Sequence, residues 1–224
     1  MTLMNQSFQR ARSTEAKEQR EAAILEAART LAATDGVRQI TLTDIADAVG
    51  MHKSALLRYF ETREQIFLVL TAAGWSEWSS ALRKDLAQLV EVSPTAVAAV
   101  FAKTLTARPM FCDLLAQAPL NLERNVSLDA IRAFKLVALN EVKVIGSELK
   151  RLLGLSSRQA TDTVATATSM AGALWQMATP GPQVRALYRS EPQLAHAIVD
   201  VGPQLTHILE GLLTGYLTER AKRW

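Results

Sequence analysis

The sequence predicts an all-α protein, and three observations carry that prediction. Apolar residues return every three or four positions in one segment after another, and Ser, Thr, Gly and Pro stand where helix caps and stops belong. No stretch shows the alternating, β-branched pattern of a strand. At 224 residues, 49% of them hydrophobic, the chain is long enough for one sizeable core or two small domains. Its one cysteine, Cys112, excludes an intrachain disulfide and a Cys-rich metal site and fits a reducing cytosol. No metal and no cofactor is expected.

The leading residues MTLMNQSFQRARSTEAKEQR lack the apolar core of a signal peptide, and no stretch approaches the ~20 apolar residues needed to span a bilayer. A cytoplasmic protein is expected. Residues 1–18 read as a mobile polar arm carrying Arg10, Arg12 and Lys17; such an arm either follows a phosphate backbone or minor groove or is a solvated tail. REAAILEAARTLAATDG, from 20 to 36, is an Ala-rich amphipathic helix with Ile24, Ala28 and Leu31 on one face and Gly36 at its end. TLTDIADAVGMHKSALLRYF, from 41 to 60, then reads as two short helices. Leu42, Ile45, Ala46 and Val49 form one apolar face, Thr41 caps it, and Asp44 has the capping-box spacing. Gly50 suits the left-handed turn, and a second helix starting near His52 is anchored by Leu56, Tyr59 and Phe60. His52, Lys53, Ser54 and Arg58 lie near its N-terminal end or on its open face, where they would reach base edges and phosphates. An ordinary helical hairpin with a solvated polar face presents the same local pattern.

The remaining elements follow in order. Thr62 caps a helix with Ile66, Phe67 and Leu70, running to about Ala87. Ser93-Pro94 starts another with Val97, Val100, Phe101 and Leu105, and Arg108-Pro109 breaks it and begins the short PMFCDLLAQ. Ser127 caps a long helix to Leu153, with Ile131, Phe134, Ala138, Val142, Ile145, Leu149 and Leu152 in period and Gly154 as its stop. Ser156 and Gln159 form a capping-box pattern ahead of Val164, Ala167, Ala171, Leu174 and Ala178, a narrow seam of small residues. TPGP at 179–182 ends that helix, and a last one from about Pro203 carries Leu205, Ile208, Leu212 and Tyr216, broadened by Leu209 and Leu213.

The Ala-rich helix closing on DG, the run TLTDIADAVGMHKSALLRYF and the cap-like ETREQIF together resemble the DNA-binding domain of the tetracycline-repressor (TetR) family. The resemblance covers about sixty residues in one uninterrupted order. One departure is Leu57, where the family commonly has an aromatic residue, which puts one phosphate or sugar contact in doubt. The resemblance implies a helix-turn-helix domain over 19–76 and a helical effector-binding and dimerisation domain over 77–224. It implies Lys53 and Ser54 at base edges, His52 beside them, and Thr41, Thr43, Arg58, Tyr59 and Arg63 toward the backbone of double-stranded DNA.

Charge placement, not total charge, supports that reading. The chain carries a formal net charge of +3, of which residues 1–63 contribute only +1 (nine Lys or Arg against eight Asp or Glu). The two C-terminal helices of each chain, through Val164, Ala167, Ala171, Ala178, Leu205, Ile208, Leu212 and Tyr216, would form the isologous four-helix interface of a homodimer, although the same stripes would equally cover the chain's own core. A homodimer would read a palindrome, its recognition helices about 34–36 Å apart or further. The family implies a pocket for an unidentified small-molecule effector, hydrophobic or amphipathic, among Trp75, Trp78, Phe101, Met110, Phe111, Asn121, Phe134, Met170, Leu174 and Trp175. The expected function is a ligand-responsive regulator, most often a repressor in this family, with control by a protein partner as the alternative. An enzyme is not expected: there is no Gly-rich phosphate loop, no His/Glu metal spacing, and His52, His196 and His207 are scattered. Cys112 in MFCDL has an acidic neighbour and no base, which argues against a reactive thiol.

Overall fold

Side-chain caps open the helices where the local sequence calls for them. The computed structural model describes the backbone of residues 2–221 and the side chains of residues 14–194 and 198–219. Arg10, Arg12 and His196 lie outside the described side chains. Helices α1 (Thr2–Asp35), α2 (Leu42–Ala48), α3 (Lys53–Leu56) and α4 (Arg63–Leu86) come first. They are followed by α5 (Pro94–Thr106), α6 (Pro109–Gln117), a π-turn at Ala118–Leu122 and α7 (Leu128–Leu153). The chain ends with α8 (Ser157–Ala178), α9 (Pro182–Ser190), a 3₁₀ turn at Pro192–Ala197 and α10 (Val201–Ala221). No strand occurs among the described residues.

Thr62, Ser93 and Ser127 each accept the amide of the residue three positions on, and Ser156 with Gln159 completes a reciprocal capping box. Gly36, Gly50 and Gly154 carry the positive φ values of 82°, 62° and 66° that close the preceding helices or turns.

Two stretches depart from the sequence reading. The polar arm expected over 1–18 is instead continuous with α1, which starts at Thr2. No Gly or Pro interrupts residues 2–35, and Ala, Gln, Glu, Arg and Lys all extend a helix at low cost. Between α8 and α10 the chain forms α9, an exposed amphipathic helix with no buried residue. Pro182 at its start supplies the fixed φ that a first helical turn accepts, a signal read from the sequence only as a stop.

One hydrophobic cluster runs through the molecule, from Ile24, Ala28, Ile45 and Leu56 near the N-terminus to Leu205, Leu209 and Leu213 on α10. Along α4 sit Phe67, Leu70, Trp75, Trp78 and Leu82, so this helix belongs to both halves and joins them. Trp75 and Trp78 meet edge to face at 5.6 Å, Phe111 lies 5.9 Å from Trp75, and Phe101 lies 5.9 Å from Trp78. Gly74 leaves room for this packing, since a Cβ there would stand 2.4 Å from Phe111 Cδ2.

The aromatic rings expected to line a cavity therefore fill one another's space. Trp75, Trp78, Phe101, Phe111, Phe134 and Leu174 are all buried in the core. Met110 and Met170 pack against it, and Asn121 is exposed, its amide donating to Gln117 Oε1 at 2.5 Å. Of the expected pocket residues, Trp175 lines an open groove of about 410 Å³, together with Thr106, Ile198, Val199, Asp200, Val201 and Gly202. Periodicity showed which rings face inward; it did not show that they meet.

The small-residue seam also has a different partner. Val164, Ala167, Ala171 and Leu205 are 0% exposed within one chain, so they form its own core and not a surface between chains. Smallness on α8 serves contact with α6: a Cβ on Gly172 would stand 2.9 Å from the Ala116 backbone nitrogen. Ala178, Ile208, Leu212 and Tyr216 remain partly exposed.

Candidate nucleic-acid interface

The helix-turn-helix is built by local polar bonds over an apolar base. Thr41 N and Oγ1 both donate to Asp44 Oδ2 at 2.7 Å, and Asp44 N donates back to Thr41 Oγ1 at 3.2 Å. The Thr41 hydroxyl, and then the Thr41 amide, hold the Asp44 carboxyl below its ordinary value. A carboxyl lowered in the folded state stabilises α2 above the ordinary carboxylate range, and that contribution fades on acidification through it. The hydroxyl of Thr41 is thus engaged in the cap, whereas Thr43, two residues on, is exposed. Ile45, Ala46, Leu56 and Phe60 bury the underside.

His52 caps α3. Its Nδ1 accepts the Ser54 amide at 3.3 Å, which makes Nδ1 the unprotonated nitrogen, and lies 2.8 Å from Ser54 Oγ. With Nδ1 accepting, the Ser54 hydroxyl donates to it and the neutral ring carries its proton on Nε2. α3 is short, but amide bonds from Leu57 to Lys53, Tyr59 to Leu56 and Phe60 to Leu56 carry the helical turn to Phe60. His52, Lys53, Ser54 and Arg58 are all exposed beside one another in sequence on this element, as is Leu57, 44% exposed. Tyr59 is partly buried against the core.

Arg63 does not belong to the exposed set. Its guanidinium donates from Nε to the Ile40 carbonyl and from Nη2 to the Val37 carbonyl, pairs with Glu64 at 3.1 Å, and lies over the Phe67 ring at 4.8 Å. Its side chain is 17% exposed. Near the recognition helix in sequence, it turns back because two carbonyls of the 36–40 turn need donors. The functional contacts that sequence reading missed are two polar clasps between the halves. Asp113 Oδ2 on α6 accepts the Val37 amide at 2.8 Å, and Glu61 Oε1 accepts the Ser127 amide at 2.8 Å. Partners 76 and 66 residues apart leave no spacing signal.

Elsewhere the chemistry is quiet. Burial, with the Asp113 carboxylate adding to it, pushes the Cys112 thiol up to about 12, and the thiol donates to the Leu105 carbonyl at 3.3 Å. A maleimide at neutral pH is expected to leave the folded protein unlabelled and to label it in denaturant; rapid labelling of the folded chain contradicts this burial. Among the described residues, no group of three or more His, Cys, Asp or Glu is placed to hold a metal ion. No described helix is long and apolar enough to cross a membrane.

An all-helical chain that presents this exposed, cationic second helix on a capped hairpin is a helix-turn-helix DNA-binding protein. Residues 24–70 match the family described as "Bacterial regulatory proteins, tetR family", and residues 72–220 match "Tetracyclin repressor-like, C-terminal domain". The chain belongs to the tetracycline-repressor family of transcriptional regulators. The fold is similar to that of the fatty acid degradation regulator FadR from Bacillus halodurans, with 15% identity, TM-score 0.54, and coverage of 86% of this chain and 93% of that one. It is also similar to Thermus thermophilus FadR in complex with lauroyl-CoA: 19% identity, TM-score 0.52, coverage 84% and 92%. Bacillus subtilis FadR in complex with stearoyl-CoA gives 14%, 0.52, 86% and 96%. No curated protein sequence matches significantly.

Proposed function

We propose that this regulator binds a palindromic operator as a homodimer, represses, and is released by a hydrophobic or amphipathic small molecule. The observation that carries the reading is the exposed set His52, Lys53, Ser54 and Arg58 on a buried, capped base. Thr43 flanks it for the phosphate backbone. The amphipathic effector class rests on the apolar bulk of the second half, and two proteins of similar fold hold lauroyl-CoA and stearoyl-CoA. α4 is the lever, because it begins beside the recognition helix and ends in the aromatic core. A ligand that favours the wrong spacing of the two DNA-binding domains lowers operator affinity by the same coupling the operator imposes on it, about 5- to 150-fold for typical couplings.

Selection of oligonucleotides by the purified protein tests the first half: a palindrome is expected, and an asymmetric site or no enriched site overturns the reading. Native mass spectrometry of protein from its host tests the second, where a stoichiometric polypeptide in place of a small molecule favours control by a protein partner.

The exposed faces of α8 and α10 are the dimer surface in this reading. Thr161, Ala165, Ser169 and Ala173 are exposed at every fourth position of α8, and His207, Gly211 and Gly215 are exposed on α10. A Cβ at Gly211 or Gly215 would meet nothing within 4 Å in the single chain. Gly211→Arg is therefore expected to keep the helical circular dichroism of the protein while shifting it from dimer to monomer in light scattering. A variant that stays dimeric at micromolar concentration places the interface elsewhere.

A further inference from the structure

We propose that Asp113 is a positioning residue for DNA binding: it fixes the pose of the helix-turn-helix by gripping the Gly36–Ile40 turn from the C-terminal half. This rests on the DNA-binding reading above and adds the residue through which the two halves are held in register.

Four backbone groups of the turn find partners in three parts of the chain: α1, α6 and the start of α4. Gly36, at φ 82°, closes α1 by donating its amide to the Ala32 carbonyl at 2.9 Å. The next amide, on the buried Val37, finds its partner across the molecule in Asp113 Oδ2 at 2.8 Å. The same oxygen lies within ordinary contact of Gly36, where a Cβ would stand 3.7 Å from it. The carbonyls of Val37 and Ile40 go to Arg63 at the start of α4. An acid from α6 and a base from α4 thus hold opposite ends of the dipoles of one turn. From this turn the chain enters α2, so its orientation sets where α2 and α3 stand.

Asp113 does not act from a free helix. Its second oxygen, Oδ1, accepts Gln176 Nε2 of α8 at 2.8 Å. One turn earlier, Gly172 brings the α8 backbone against Ala116, where a Cβ would stand 2.9 Å from the backbone nitrogen and 3.2 Å from Cα. Two packed helices without a side chain between them slide little, because the contact is made by backbone on both sides. α6 and α8 form one unit, and the two oxygens of Asp113 join that unit to the turn. A second clasp runs from the DNA-binding half to α7, where Glu61 holds the Ser127 amide at the head of the helix. With both clasps closed the helix-turn-helix is fixed about α4; with Asp113 removed, α4, Glu61, the Arg29–Glu77 ion pair and the packing of α1 on α6 remain, and the turn itself loses its grip from α6.

Asp113→Ala removes both acceptor oxygens, so neither the Val37 amide nor the Gln176 side-chain amide finds its partner there. In the full-length variant, hydrogen exchange at the Val37 amide is expected to accelerate at least tenfold, with exchange in the aromatic core around Trp78 unchanged. Affinity for the selected operator duplex, at fixed salt, is expected to fall about tenfold, within the usual range of coupling between sites, while affinity for random duplex stays as in the wild type. Gln176→Ala, at an exposed position, is expected to move both readouts in the same direction by less, and it keeps the test valid if Asp113→Ala fails to fold. Unchanged Val37 exchange, or equal losses on operator and random duplex in a folded variant, overturns the proposal. Failure of the wild type to prefer any duplex overturns the DNA-binding reading instead, and the exchange result stands apart from it.

Discussion

Trp78→Ala is expected to destabilise the protein by about 3–5 kcal/mol, the usual cost of deleting a large buried aromatic. Trp78 is 0% exposed and is ringed by Trp75, Phe101 and Phe111 at 5.6, 5.9 and 6.0 Å between centroids. The cost has two parts. The neighbouring rings belong to α4, α5 and α6 and cannot all move in to fill the space without unseating those helices, so most of the cavity persists. The indole N–H also donates to Thr104 Oγ1 at 3.1 Å, and that hydroxyl already gives its proton to the Val100 carbonyl at 2.8 Å. Truncation therefore leaves a buried acceptor without its donor. Urea denaturation at fixed protein concentration measures the loss. A drop below about 1 kcal/mol would mean that the core collapses around the missing ring, against the close mutual packing of these rings.

Which parts of this fold could be read from the chain depends on how far apart the interacting residues lie. Caps are local: Thr41 with Asp44 and Ser156 with Gln159 need only four residues, so their spacing already specified the bonds the structure contains. The same holds for Gly50, where a single residue permits the left-handed turn. The inward faces were legible too, because period alone selects them. Identity of the partner was not. Small residues on α8 announce a close approach, but nothing in their spacing says that Ala116 of α6, rather than a second chain, comes close. Aromatic residues spread over 75–111 announce a bulky interior, yet only the packing decides between a lined cavity and a filled core. Arg63 shows the limit most plainly. Its place after the recognition helix suggests a phosphate contact, and the unmet carbonyls of Val37 and Ile40, more than twenty residues earlier, claim it instead.

With Arg63 engaged elsewhere, the burden of recognition falls on fewer residues, and Lys53→Ala is expected to weaken operator binding by about 1–3 kcal/mol. Lys53 is the first residue of α3 and is exposed, while its neighbours are already committed: His52 caps the helix, and Ser54 lies 2.8 Å from the His52 ring. What remains outward is a set of donors, the Lys53 ammonium, the His52 Nε2–H and the Arg58 guanidinium. Donors of this kind pair with the O6 and N7 acceptors of guanine in the major groove, so a guanine is expected in each half-site within reach of Lys53. Loss of Lys53 should then relax the preference for that base and cost more on the operator than on random duplex. A phosphate contact has a different signature: equal loss on both duplexes and a salt dependence shallower by about one ion. Titration of both duplexes at several salt concentrations separates the two. Equal losses with a shallower salt slope would move Lys53 to the backbone and leave His52 and Arg58 as the residues that read sequence.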